Sequence, residues 1–145
     1  MSDTNTVEAH VRRSFDSMPV RETTITMLDM ERVKSHLRLM AQRNPTLPFT
    51  NERDYLLHRR CLSDVDGVLL VTVAGLLCFG HNPQALFPRA VVDLGHYRGN
   101  ETVSYEVAHL ERDIGGTVFD QLARIESYLW TNTHHGMTLS EGSLQ

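Results

Sequence analysis

Thirteen residues from Val68 to Gly80, VLLVTVAGLLCFG, form the longest apolar stretch of the chain. The run reads as buried, yet it stops short of the 18 or so residues that a membrane span requires. Periodicity alone does not separate strand from helix in so short a run. The punctuation around it helps. Ser63 to Gly67, SDVDG, is a turn, because Asp-Gly supplies the positive φ that most residues resist. A strand at Val68–Val71 followed by a helical turn from Thr72 to Phe79, closed by Gly80 as its C-cap, accounts for the pattern. Beyond it, Asn82–Pro83 bend the chain and Leu86–Phe87 reanchor it before a strand in RAVVDLGHYRG. A phosphate cradle needs free backbone N–H groups at a helix N-terminus. Gly80 instead falls at a helix C-terminus, and Pro83 and Pro88 remove two donors, so the segment is a corner.

The remaining elements follow from spacing. Met30, Val33, Leu37 and Met40 recur at steps of three and four, which predicts an amphipathic helix with Asp29 as N-cap and Pro45 beyond its end. TNERDYLLHRRCLSD reads as a second helix, capped by Thr50 or Asn51, with Tyr55, Leu56, Leu57 and Leu62 inward. ETVSYEVAHLERDI reads as a strand joined to the preceding one through Gly99–Asn100. A closing helix has Thr117 as N-cap and Val118, Leu122, Ile125 and Leu129 on one face. The expected core is Val33, Leu37, Leu57, Leu76, Leu77, Phe79, Val91, Phe119, Leu122 and Trp130. These elements predict the α+β class: one small domain over 15–131, three to four helices on a short, mainly antiparallel sheet, between loose tails at 1–14 and 132–145. A winged-helix-like first half is the alternative arrangement.

At 145 residues, 41% of them apolar and 22% charged, the chain has the composition of an ordinary globular domain. The polar N-terminus lacks the regions of a signal peptide, and the two cysteines are expected as reduced thiols, which together predict the cytoplasm and no membrane partner. Net charge is −4, unevenly spread: residues 1–60 carry ten basic and eight acidic side chains, and 61–145 four and ten.

Several constellations bear on chemistry. His58, Cys61, Cys78 and His81 are two pairs with residue types that suit tetrahedral zinc, set against the ordinary role of a small buried thiol for Cys78. His134–His135 diverge on either regular structure and read as tail residues. Glu106, Glu111 and Asp113 read as a solvated face. The phosphate-loop, dinucleotide and nucleophile-elbow motifs do not occur in the sequence, so no catalytic residue and no cofactor is assigned to this chain. Arg38, Arg43, Arg53, Arg59 and Arg60 sit on the two N-terminal helices and are the candidates for DNA contact, as in a helix-turn-helix followed by a wing.

Four landmarks carry a resemblance: SFDSMPV, TMLDMERVKSHL, VAGLLCFGHNPQALFPRAVVDLGHYRG and IGGTVFDQLARIESYLWTN. In order and spacing they resemble the middle segment of bacterial RecG-related regulators, a family labelled ATP-dependent DNA helicase. The fingerprint is Ala74, Gly75, Leu76, Leu77, Phe79, Gly80, Pro83, Gln84 and Pro88. In that family a Schlafen/Alba-type DNA-binding domain precedes the segment and a histidine-kinase-like ATP-binding module follows it. The resemblance implies a non-catalytic linking domain, with neighbouring domains of the same parent protein as partners and DNA or ATP held elsewhere in that parent. His81 stands where the family has Lys or Arg, and Cys78 where it has Leu, which weakens the zinc alternative.

Overall fold

The computed structural model describes residues 14–49, 51–99 and 107–133. Thr50, Asn100, Glu106, His134 and His135 lie outside the described residues, as do the expected tails apart from Ser14, Asn132 and Thr133. The described residues form five helices and four strands, so the α+β class holds, with the sheet divided into two antiparallel pairs. No described helix is long and apolar enough to cross a membrane. The chain divides into two compact units, 1–75 and 76–145.

In the first unit, 3-10 turns at Phe15–Ser17 and Ile25–Met27 precede α1 (Met30–Arg43). Asp29 caps α1 by accepting from the Arg32 N–H, and Glu31 in its first turn suits the helix dipole. Helix α2 (Glu52–His58) is capped by Asn51 through the Asp54 N–H at 2.8 Å. It ends well before the predicted Asp64. Arg60 adopts the left-handed region at φ 57°, and the chain turns into strand β1 (Leu62–Val65). The cause is the two-residue Asp66-Gly67 turn, both residues at positive φ, which pairs Val65 with Val68 of β2 (Val68–Val71). Leu62, expected on a helix face, is buried in that hairpin instead.

Val33 and Leu37 of α1, Tyr55 and Leu56 of α2, and Leu28, Leu62, Val71 and Val73 build the core of this unit. Each such burial contributes about 1.5–3 kcal/mol relative to exposure. Two threonines tie the core's backbone. The Thr23 hydroxyl donates to the Val20 carbonyl and accepts from the Val71 N–H at 2.9 Å. The Thr72 hydroxyl donates to the Arg60 carbonyl at 2.6 Å and accepts from the Gly75 N–H.

Helix α3 (Val73–Phe79) contains the division between the units. The Gly80 N–H closes it on the Leu76 carbonyl at 2.9 Å. Gly80 does not use the left-handed region of a usual C-cap glycine. Its requirement is space, because a Cβ there would lie 2.5 Å from the Leu76 oxygen. The corner that follows is itself a single helical turn, α4 (Pro83–Leu86), with Pro83 buried at its start.

In the second unit, β3 (Val92–Tyr97) pairs antiparallel with β4 (Val107–Ile114), with irregularities beside Leu94 and Tyr97. Helix α5 (Val118–Asn132) starts on a full capping box, Thr117 with Asp120. Gln84 holds its entry. The Gln84 side chain donates to the carbonyls of Ala90 and Gly116 and accepts from the Gly116 N–H, all within 2.9 Å. Gln121 of α5 donates to the same Ala90 carbonyl at 2.8 Å. Of the expected core, Val33, Leu37, Leu76 and Phe79 are buried, whereas Leu57, Leu77 and Val91 are half-buried. Phe119, Leu122 and Trp130 are exposed, for a reason that lies in how α5 is attached.

A candidate interaction surface on the closing helix

Side chains that face one way on a helix recur about every 100° of rotation. On α5 the inward arc is Gln121, Ile125 and Tyr128, of which Gln121 is buried and the others half-buried. It is held largely by polar and aromatic contacts. Tyr128 stacks on His109 of β4 with centroids 4.3 Å apart, and its hydroxyl meets His96 Nδ1 of β3 at 2.9 Å. Those two histidines face each other across the β3–β4 ladder. Arg124 grips Glu111 with two hydrogen bonds, of 3.0 and 2.6 Å. That guanidinium, with a smaller part from His109, holds the Glu111 carboxyl below its ordinary value.

The apolar stripe read from the sequence, Val118, Leu122, Ile125 and Leu129, is turned roughly 70° from this inward arc. Val118, Leu122 and Leu129 are accordingly 37, 50 and 45% exposed, and Trp130, further round the same side, is 72% exposed. Phe119 is 43% exposed while its ring also meets Phe79 at 5.8 Å. The buried glutamine wins the inward position because its amide finds two backbone carbonyls there, satisfying polar groups that burial would otherwise penalise. Sequence reasoning missed Gln121. Its place beside Ile125 on the helix wheel was the available signal, and its partners, two loop carbonyls, were not readable.

The five candidate arginines are all exposed, on the first unit. Arg38 and Arg43 lie about 140° apart around α1, so they do not form one stripe. Arg59 lies over the Tyr55 ring at 5.7 Å, in a cluster where the Tyr55 hydroxyl meets His36 Nε2 at 2.9 Å and Phe49 packs on His58. Burial, with Arg59 nearby, pushes the His36 pKa down. The order helix, helix, hairpin does match a helix-turn-helix with a wing. The wing itself carries Asp64 and Asp66, which repel phosphate.

The four candidate zinc ligands have separate surroundings. His58 packs against Phe49 with tilted rings 4.6 Å apart, Cys61 is buried, Cys78 is half-buried with its thiol pKa raised by that burial, and His81 is exposed. Among the described residues no three His, Cys, Asp or Glu side chains are grouped to hold a metal ion. Asp113 is an exposed strand residue at φ 55° whose N–H donates to Asp93 Oδ1.

Of the fingerprint residues, Gly75, Gly80 and Gln84 serve the backbone, while Leu76 and Phe79 are buried apolar side chains. A Cβ on Gly75 would lie 2.2 Å from the Cys61 carbonyl oxygen, so only glycine fits, and Gln84 is the clasp already described. The family model described as Domain of unknown function (DUF8451) matches residues 5–93, which takes in the first unit from residue 5 on, the rest of α3, α4 and the start of β3, with α5 beyond its end. No curated protein and no solved structure matches the chain significantly. With more than half of its length covered by that one match, the chain belongs to the DUF8451 family.

Proposed function

We propose that the chain is a non-catalytic interaction domain of a DNA-associated, RecG-related regulator, working in the cytoplasm between a DNA-contacting module and an ATP-binding one. The observation that supports this reading is the apolar side of α5, exposed while a polar arc attaches the helix to its unit. Exposed large apolar side chains grouped on one side of a helix favour a place where protein is met by protein. ATP belongs to the parent protein in this reading, and the chain's own contribution is to hold its neighbours.

Hydroxyl-radical footprinting tests it. Leu122 and Trp130 are expected to be oxidised several-fold more slowly in the intact product of the gene than in the 145-residue chain. Equal rates in both would end the proposal.

A second reading, DNA binding through Arg38, Arg43, Arg53, Arg59 and Arg60, is favoured by the helix–helix–hairpin order of the first unit. It predicts affinity for duplex DNA that weakens steeply with salt.

A further inference from the structure

The rim where α1 meets α2 is built around one tyrosine. Tyr55 is buried, and side chains from three parts of the first unit close on its ring. From α1, His36 comes to 5.8 Å, with its Nε2 2.9 Å from the Tyr55 hydroxyl. Phe49, from the connection between the helices, meets the ring edge-on at 5.9 Å. Arg59, just past the end of α2, lies over it at 5.7 Å. His36 itself is half-buried. A neutral imidazole suits such a place, since its nitrogen either accepts from a phenol or donates to it. An imidazolium fits poorly. It can only donate, burial withholds it from water, and across the ring it meets the guanidinium of Arg59.

We propose that the His36–Tyr55 contact is a proton-operated latch between α1 and α2, closed while His36 is neutral and loosened when it takes up a proton. The acidic groups of the two helices have other engagements. Asp29 caps α1 and pairs with Arg32, Glu31 bonds Lys34, Asp54 accepts from Asn51, and the field of Glu52 falls on Lys34. His58 of α2 is turned to Phe49. The His36 pKa is accordingly pushed below its ordinary value of 6.5, by burial first and by Arg59 second. The folded chain thus holds that proton less tightly than the unfolded one. The contribution of the latch is complete above pH 6.5 and is lost as pH falls from there through the lower folded value. Val33, Leu37 and Leu56 of the same helix pair are buried and carry no charge, so the rim opens while the helices stay associated.

Proton NMR of the 145-residue chain from about pH 4.5 to 8 tests the latch at its origin. The His36 ring signal, identified by its absence in His36→Gln, is expected to titrate below 6.5, and the Tyr55 ring signals to shift with the same midpoint. Arg59→Gln is expected to move that midpoint upward. Between about pH 7.5 and 5 the urea midpoint of the parent chain is expected to fall further than that of His36→Gln, so the gap between them narrows. His36→Phe, an uncharged ring of similar shape, serves the same comparison should His36→Gln misfold. A His36 midpoint at or above 6.5 overturns the latch, as do Tyr55 signals that stay unchanged through the titration. Urea midpoints of parent and variant that fall in parallel overturn it too.

Discussion

At Gly75 the missing Cβ would press on two atoms at once, the Cys61 carbonyl oxygen at 2.2 Å and Val71 Cγ1 at 2.9 Å. The first belongs to backbone, which cannot swing aside, so the cost of a methyl there is overpacking of the kind that buried sites resist. Gly75→Ala is expected to destabilise the fold by about 3 kcal/mol, read as a lower urea midpoint. Gly67→Ala meets open space and is strained only by its φ of 83°, at a cost of about 1 kcal/mol. Equal midpoints for the two variants would refute the close-approach argument. Part of this was legible beforehand. Asp66-Gly67 announced its turn through residue type alone. Gly75 and Gln84 stood out only through the order of a motif, because what each touches is a backbone carbonyl far along the chain.

Among the elements, α1 was readable from its stripe and its cap, and β2 from the residues that flank it. Strand β1 was not, because RRCLSDV looks helical until the Asp-Gly hairpin claims it as a partner for β2. The face of α5 was misread for a physical reason. Hydrophobic periodicity finds the apolar side of a helix, whereas Gln121, Tyr128 and Arg124 decide which side is inward through partners on β3, β4 and the preceding loops. The Arg124–Glu111 pair makes that attachment sensitive to acid. Glu111 has its pKa depressed in the fold, so the pair's contribution is complete above the ordinary value of 4.5 and is lost as pH falls through the lower folded value. Arg124→Ala should therefore lower the urea midpoint modestly at pH 7, as for an exposed pair, and the gap from the parent chain should close below pH 4.5. A gap that stays constant down to pH 2 would show that the pair is not its source.

For the whole molecule, charge sorts differently once the units are known. Residues 1–75 carry ten basic and ten acidic side chains, because Asp64 and Asp66 join the arginines in one unit, and residues 76–145 carry four and eight. The basic excess read over residues 1–60 therefore vanishes at the scale of the folded unit. On that balance, a duplex titration at about 50 mM salt is expected to show no more than weak, non-specific binding. Binding that is tight there, and reduced by Arg53→Ala together with Arg38→Ala, would instead establish the DNA reading. The polar attachment of α5 has another consequence. Lifting the helix breaks the hydrogen bonds of Gln121, Tyr128 and Arg124 together with the Ile125 and Phe119–Phe79 packing, so part of what holds it is charge and hydrogen bonding. That part answers to protons and salt, which leave apolar burial largely unchanged. The second unit can thus loosen at its closing helix under conditions that leave the aliphatic core of the first undisturbed.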